Sequence, residues 1–167
     1  IDVVGLTSEL IGENTPFLKN WVNNKKITPV EPLLPAVTCS AQMTYTTGKW
    51  PLDHGIVGNG WYFKDLNEIK FWHQSFNLVQ SQPIWEWAKE QDLSFTCSYM
   101  FWWFNMYSGA DFAVTPRPQY LADGRKMPDC YSHPASLRDK LQAELGTFPL
   151  FDFWGPRTTI KSSKWIA

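Results

Sequence analysis

The chain has 167 residues, a formal net charge of −1 and 16% aromatic residues, including ten tryptophans. This length suffices for one domain with a sizeable core, and the near-neutral charge gives no electrostatic reason to expect binding to nucleic acid or to a membrane surface. No apolar run reaches the roughly 18 residues that a transmembrane helix needs. Three cysteines without CxxC spacing predict no disulfide framework and favour a reducing, cytoplasmic compartment.

The N-terminal region predicts a strand, a helix and an extended segment. Residues 1–6 form a short apolar run typical of a buried parallel strand. Thr15 and Pro16 predict a helix start, and this helix should end near residues 23–26. Residues 27–34 form a proline-broken extended segment that leads into the next helix. In parallel α/β proteins this order places active sites at the ends of the strands.

The next helix is predicted to run from Thr38, as its N-cap, to a left-handed C-terminal position at Gly48. A hydroxyl at a helix N-cap lies beside unpaired backbone N–H groups and the positive end of the helix dipole, so a bound anion would be stabilised there. Thr38 is therefore a candidate nucleophile. The alternative is that Thr38 and Ser40 only cap the helix, and the local pattern does not separate the two interpretations.

A longer pattern surrounds Thr38. It reads Pro-x-x-Thr, a short helix ending in Thr-Gly, and then Pro-x-x-His-Gly-Ile-Val-x-Asn, formed by Pro35, Thr38, Thr47, Gly48, Pro51, His54, Gly55, Ile56, Val57 and Asn59. This pattern closely resembles the nucleophile region of the nucleotide pyrophosphatase/phosphodiesterase branch of the alkaline phosphatase superfamily. The resemblance implies an alkaline phosphatase-like, three-layer α/β sandwich with a mainly parallel central sheet. Residues 1–167 would form a single, incomplete domain, the N-terminal part of a larger catalytic domain.

The same resemblance implies a chemistry. The protein would be a metal-dependent hydrolase of phosphodiester or pyrophosphate bonds, with a small-molecule phosphate ester such as a nucleotide as substrate, and with no nucleic-acid or membrane partner. Thr38 would be the nucleophile and a ligand of one of two zinc ions, which would lower the pKa of its hydroxyl. Asn59 would stabilise the charge on the transferred phosphoryl oxygens. The sequence leaves the oligomeric state open.

The chain departs from the family at one expected metal ligand. Members usually carry an Asp at the end of the first strand, whereas this chain has Thr7 there, so that Thr7, Glu9 or Glu13 would have to substitute. The other Asp and His ligands of the family lie beyond residue 167. Two alternative functions therefore stay open. One is a non-catalytic scaffold or binding protein that kept the fold and lost the metals, and the other is a phosphonate or phosphomonoester hydrolase of the same superfamily.

Aromatic residues follow the pattern around Thr38. A run beginning at Trp61 predicts a strand or a cover over the site, and residues 101–107 are the densest aromatic cluster of the chain. We expect Trp61, Trp102 and Trp103 to bind the substrate, because a ring face suits a stacked base. Packing in a core or a subunit contact is the alternative. His73 is left out of the site because no second potential metal ligand follows it within four residues.

The C-terminal half predicts further helices. Pro83 and residues 84–91 form one candidate, and residues 134–145, closed by Gly146, form another. Residues 148–153 are a strand-like run. A last helix is predicted to open at Ser162 or Ser163.

Overall fold

The computed structural model describes residues 1–23, 25–154 and 161–167, apart from the side chains of residues 161–163. The chain forms two compact units, Ile1–Pro32 and Leu33–Ala167. The α-helices are α1 (Pro16–Asn23), α2 (Thr38–Thr47), α3 (Pro51–His54), α4 (Ile84–Gln91), α5 (Ala135–Leu145), α6 (Leu150–Phe153) and α7 (Lys161–Ile166). The strands are β1 (Gly60–Phe63), β2 (Glu68–Phe71), β3 (Ser98–Met100), β4 (Phe112–Pro116), β5 (Gln119–Tyr120), β6 (Lys126–Met127) and β7 (Cys130–His133). Short 3₁₀ helices cover Ser8–Leu10 and Phe76–Leu78.

The first unit contains the predicted helix but not the predicted strand. Helix α1 begins at Pro16, and the carbonyl of Thr15 accepts the first helical hydrogen bond from the N–H of Lys19 at 2.9 Å. Residues 1–6 are exposed and contain a turn, in which the Leu6 N–H donates to the Val3 carbonyl at 3.1 Å. The buried strand predicted there is wrong, because no strand in the described ranges pairs with this apolar run.

Helix α2 matches the prediction to within one residue. Val37 has an extended conformation, with φ −119° and ψ 158°, and its carbonyl accepts a hydrogen bond from the Ala41 N–H at 3.0 Å. Val37 is therefore the N-cap, and Thr38 is the first helical residue rather than the N-cap we expected. The helix ends as predicted at Gly48, whose φ of 65° lies in the left-handed region that favours glycine.

The sheets of the second unit are small and mixed. Strands β1 and β2 form an antiparallel hairpin, and β1 confirms the strand predicted for the run that begins at Trp61. Strand β4 lies between β3 and β7, parallel to β3 and antiparallel to β7, while β5 and β6 form a second hairpin. The chain is thus a mixed α/β protein, as predicted at the level of fold class. The three-layer sandwich with a mainly parallel central sheet stays a prediction, as does the single domain.

Two clusters of buried apolar side chains stabilise the second unit. The first core contains Cys39, Met43, Ile56, Phe76, Trp85, Tyr99, Phe104 and Ala110. The second core contains Val114, Cys130, Phe148, Leu150 and Trp165. Helix α2 contributes Cys39 and Met43 to the first core, because residues four apart lie on one helix face. Burial of this face fixes the position of the N-terminal end of α2.

The C-terminal helices confirm three predictions and correct one. Helices α4 and α5 begin one residue after Pro83 and Pro134, which are their N-caps, and α7 covers the helix predicted at Ser162 or Ser163. The strand predicted at residues 148–153 is wrong, because this run contains helix α6, with Pro149 as its N-cap. Pro149 explains this difference, because proline cannot donate to a sheet ladder but is tolerated at a helix start. No helix within the described ranges is long and apolar enough to cross a membrane.

Candidate functional site at the N-terminal end of α2

The structure brings Asn59 to the beginning of helix α2. The backbone N–H of Cys39 donates a hydrogen bond to the Asn59 side-chain oxygen Oδ1 at 2.9 Å. An N-cap side chain usually accepts such a bond, but valine has no acceptor. Asn59, twenty residues after Cys39 in sequence, supplies the acceptor instead. Because Oδ1 is occupied by this bond, the amide nitrogen Nδ2 is the end of Asn59 that can donate to a ligand.

The hydroxyl of Thr38 lies at the same helix end. Thr38 is half-buried, and its hydroxyl makes no hydrogen bond within the described part of the chain. The first N–H groups of an α-helix have no partner inside the helix and carry the positive end of its dipole. The N-terminal end of α2 therefore combines a free hydroxyl with backbone groups that favour an anion.

His54 fixes the chain between α2 and Asn59. Its ring is fully buried, and Nδ1 accepts a hydrogen bond from the Ile56 N–H at 3.1 Å. The other ring nitrogen, Nε2, must then carry the proton, and it lies 3.1 Å from the hydroxyl oxygen of Thr44 on α2. Burial lowers the pKa of His54. The histidine of the Pro-x-x-His-Gly pattern is therefore a structural connection between α2 and the segment that carries Asn59.

Trp72 lies directly across the hairpin from Asn59. Its N–H donates to the Asn59 carbonyl at 2.9 Å, which continues the pairing of β1 and β2 by one residue. Its ring centroid is 5.0 Å from that of Trp103 and 6.2 Å from that of Trp154. We call Trp72, Trp103 and Trp154 the tryptophan cluster. Trp72 has a φ of 56°, an uncommon and strained conformation for a bulky residue.

A further hydrogen bond connects the tryptophan cluster to α2. The backbone N–H of Trp103 donates to the side-chain oxygen Oε1 of Gln42 at 2.9 Å. Gln42 is four residues after Thr38, so both lie on the same face of the helix, one turn apart. Trp72 thus contacts Asn59 and Trp103, and Trp103 in turn contacts Gln42 of α2. We call Thr38, Gln42, Asn59, Trp72 and Trp103 the α2 site.

The other two predicted tryptophans pack at the edge of the first core. Trp61 stacks on Phe63, with ring centroids 5.0 Å apart and planes 26° apart. Trp102 lies 5.9 Å from Tyr99, also measured between ring centroids. Both tryptophans are half-buried against the core. Of the predicted site residues, the structure thus brings Thr38, Asn59 and Trp103 together in the α2 site. Trp61 and Trp102 instead contact Phe63, Tyr99 and the first core.

The substitutes that we considered for the missing Asp ligand are exposed residues of the first unit. The Thr7 carbonyl accepts a hydrogen bond from the Leu10 N–H at 3.0 Å, and Glu13 forms an ion pair with Lys19. Within residues 1–23, 25–154 and 161–167, no three His, Cys, Asp or Glu side chains form a group that could hold a metal ion. The described residues therefore do not fit a zinc site by themselves.

Comparison with known proteins decides the family. The model of the family described as Type I phosphodiesterase / nucleotide pyrophosphatase matches residues 1–167. The chain belongs to this family. Membership confirms the resemblance seen around Thr38 and implies a hydrolase of phosphodiesterase or pyrophosphatase type that acts on phosphate esters or nucleotides. Searches among curated proteins and among solved structures find no match.

Two residues of the α2 site were missed by the sequence analysis. Trp72 enters the site through the hairpin register, which pairs Gly60 with Phe71 and thus brings Trp72 opposite Asn59. The turn residues between β1 and β2 could have suggested this pairing. Gln42 could have been found from its spacing of four residues after Thr38, but its partner Trp103 is sixty-one residues away in sequence.

Proposed function

We propose that this member of the Type I phosphodiesterase / nucleotide pyrophosphatase family hydrolyses phosphodiester or pyrophosphate bonds with Thr38 as its nucleophile. The observation that carries the proposal is the position of the free Thr38 hydroxyl, at the first residue of α2 and at the helix end that Asn59 caps. An anionic phosphoryl group is favoured at such a helix end.

The proposed reaction has two displacement steps. Thr38 Oγ1 attacks phosphorus, the Oγ1–P bond forms, the bond to the leaving oxygen breaks, and the hydroxyl proton passes to solvent. Water then attacks the same phosphorus, the Oγ1–P bond breaks, and Thr38 regains its proton as the product phosphate ester leaves. During both steps the Nδ2 group of Asn59 would donate to a phosphoryl oxygen. In other enzymes, removing one such donor raises the barrier by about 3–4 kcal/mol.

The tryptophan cluster would hold the flat part of the substrate. Trp103 and Trp72 are both members of the α2 site, and their rings lie next to each other at an interplanar angle of 36°. A nucleotide base could stack on the face that this pair leaves open. Trp61 and Trp102, which pack half-buried against the first core, remain proposed substrate contacts from the sequence.

Zinc is proposed separately from these steps. Two ions are expected, and Thr38 Oγ1 is the ligand that this chain would offer. The other ligands would have to come from residues outside the described ranges or outside this sequence, because the described residues form no suitable group. Metal analysis of the purified protein, combined with its intact mass, tests the proposal. About two zinc ions per chain would support it, and a metal-free protein with full turnover would contradict it.

Turnover of a chromogenic diester, bis(p-nitrophenyl) phosphate, tests the role of Thr38. We expect Thr38→Ala to abolish hydrolysis and Thr38→Ser to retain part of it, because serine keeps a hydroxyl at the same position. Thr147→Ala is the matched control, since Thr147 is exposed and lies outside the α2 site. Circular dichroism would verify that each variant is folded. Full activity of a folded Thr38→Ala variant would exclude Thr38 as the nucleophile.

A non-catalytic binding protein is the second candidate, and Thr7 in place of the usual Asp favours it. This candidate predicts saturable binding of a nucleotide, for example AMP, together with no hydrolysis by the wild-type protein. Hydrolysis that depends on Thr38 would exclude it. Testing p-nitrophenyl phosphate and phosphonoacetate beside the diester would separate diester hydrolysis from the phosphomonoester and phosphonate alternatives.

A further inference from the structure

Two buried side chains hold the backbone of Trp103. Its N–H donates to Oε1 of Gln42 at 2.9 Å, and its carbonyl accepts a hydrogen bond from the Tyr99 hydroxyl at 3.0 Å. Gln42 is 7% exposed and Tyr99 is 5% exposed. Hydrogen bonds between buried groups are costly to break, because the separated partners cannot bond to water instead. The two bonds therefore fix the position of the Trp103 backbone.

Both side chains extend from elements that are themselves well packed. Gln42 and Thr46 follow Thr38 at intervals of four residues, so all three lie along one face of α2. The hydroxyl oxygen of Thr46 lies 3.5 Å from that of Tyr99. Tyr99, in β3, also packs in the first core, where its ring centroid is 4.6 Å from that of Trp85. Burial raises the pKa of the Tyr99 hydroxyl, so this group keeps its proton and can donate.

The chain around Trp103 adopts uncommon conformations. Phe101 has a φ of 60° and Phe104 a φ of 54°, both in the left-handed region that bulky residues rarely adopt. Phe104 is fully buried, and the next residue, Asn105, donates to the Tyr99 carbonyl at 2.7 Å. Strained conformations of this kind persist only where the surrounding structure determines them. The contacts of this segment thus stabilise one particular placement of Trp103.

This placement connects the Trp103 ring to the rest of the α2 site. Gln42 follows Thr38 by about 6 Å along the axis of α2, and it holds the backbone from which the indole extends. The ring centroid lies 5.0 Å from that of Trp72, whose N–H donates to the Asn59 carbonyl. A base that stacks on a ring already in position loses less free energy to ordering of the protein. The two hydrogen bonds to the Trp103 backbone should therefore increase the affinity for a base.

We propose that Gln42 and Tyr99 are positioning residues, which fix the Trp103 ring and thereby make the site prefer phosphodiesters that carry a planar base. Neither residue touches the reacting atoms, and both act through Trp103. Their role rests on the proposed function, in which a base stacks at the α2 site, but binding measurements test it separately from hydrolysis at Thr38.

Two substrates with the same leaving group measure this preference. Thymidine 5′-(p-nitrophenyl phosphate) carries a base, and methyl p-nitrophenyl phosphate does not. The ratio of their kcat/KM values should fall by about fivefold in Gln42→Met and in Tyr99→Phe, since each removes one hydrogen bond to Trp103. General damage to the fold would lower both values alike and leave the ratio unchanged. Gln91→Met and Tyr45→Phe are matched controls at exposed side chains and should keep the wild-type ratio.

A background without the indole shows whether the two residues act through Trp103. Trp103→Ala keeps the backbone N–H and carbonyl but has no ring, so adding Gln42→Met or Tyr99→Phe should change the ratio no further. Binding of thymidine 5′-monophosphate, measured by isothermal titration calorimetry, gives the same comparison without hydrolysis. Its Kd should rise by about fivefold in each single variant, and the double variants should bind no more weakly than Trp103→Ala.

The binding measurements decide the proposal. It is overturned if wild type does not bind thymidine 5′-monophosphate, if either folded single variant keeps the wild-type Kd, or if either substitution weakens binding further in Trp103→Ala. If Gln42→Met does not fold, Tyr99→Phe decides alone, because it removes one oxygen atom and keeps the ring in the core. Weaker binding by the variants of a protein without Thr38-dependent hydrolysis would support the positioning role and contradict the role of Thr38.

Discussion

At the residue scale, the pKa of His54 makes stability depend on pH. The pKa is lowered by burial in the folded state, whereas an unfolded histidine titrates near pH 6.5. Below that pH the unfolded chain binds a proton that folded His54 resists, so the stabilisation is present above about pH 6.5 and is lost as the pH falls. His73 shifts in the same direction, because of its burial and then because of Lys70.

We therefore expect the free energy of unfolding, measured in urea, to fall between pH 7.5 and pH 5.5. His54→Gln should lower it by about 1–3 kcal/mol at pH 7.5, since it disturbs two buried hydrogen bonds, and should also reduce its change with pH. His133→Gln is a control on an exposed histidine of β7 and should keep the full change. Equal wild-type stability at the two pH values would contradict the proposed role of His54.

The thiol next to Thr38 should be inert. Burial raises the pKa of Cys39 to about 12, and the side chain is 1% exposed in the first core. Because the thiolate is the reactive form, Cys39 is not an alternative nucleophile near neutral pH. A brief iodoacetamide pulse at pH 8, mapped by mass spectrometry, should label the half-buried Cys97 before Cys39. Rapid labelling of Cys39 in the folded protein would show that the beginning of α2 is more open than the structure indicates.

At the scale of elements, the α2 helix depends on the hairpin segment that caps it. Asn59→Ala removes the acceptor for the Cys39 N–H, so we expect a loss of about 0.5–2 kcal/mol in the free energy of unfolding. It should also reduce turnover, because the amide donor is lost as well. Chemical denaturation and the diester assay measure the two effects on the same variant.

Asn59→Asp separates capping from catalysis. Aspartate keeps an acceptor at the N-terminal end of the helix, where its charge is favourable, so stability should be at least that of wild type. It replaces the amide donor by a negative charge that repels a phosphoryl oxygen, so hydrolysis should fall sharply. A stable Asn59→Asp variant with wild-type kcat would contradict the proposed donor role.

The tryptophan cluster predicts a loss of substrate affinity. Stacking of a base on an aromatic ring contributes about 1–3 kcal/mol, so Trp103→Ala should raise KM for a nucleotide substrate by about tenfold or more. The KM for bis(p-nitrophenyl) phosphate should change less, because its rings are smaller than a purine. Trp50→Ala is a control at an exposed tryptophan outside the cluster. If Trp103→Ala leaves the nucleotide KM unchanged, the cluster packs without binding substrate.

At the scale of the whole molecule, the residues at the ends of several helices made those helices predictable from the sequence. Gly48 marked the end of α2, and Pro83 and Pro134 marked the starts of α4 and α5 within one residue. These are local effects of backbone conformation, which a sequence displays directly. The pattern from Pro35 to Asn59 similarly identified the family before any contact was known.

Long-range partners were not predictable in the same way. Residues 1–6 have the composition of a buried strand, but composition does not show whether a pairing strand exists. The apolar side chains of residues 148–153 suit a helix as well as a strand: Leu150, in α6, and Phe148, just before it, both enter the second core. The role of Asn59 as a cap and the entry of Trp72 into the α2 site likewise depend on contacts between distant segments.

Trapping the covalent intermediate tests the central claim most directly. The protein would be mixed with excess bis(p-nitrophenyl) phosphate, quenched in acid within the first turnover, digested, and analysed by mass spectrometry. The proposed role of Thr38 predicts a p-nitrophenyl phosphoryl adduct on the peptide that contains Thr38, at the threonine itself, and no adduct in Thr38→Ala. Turnover with the adduct on another residue, or an adduct that persists in Thr38→Ala, would contradict it.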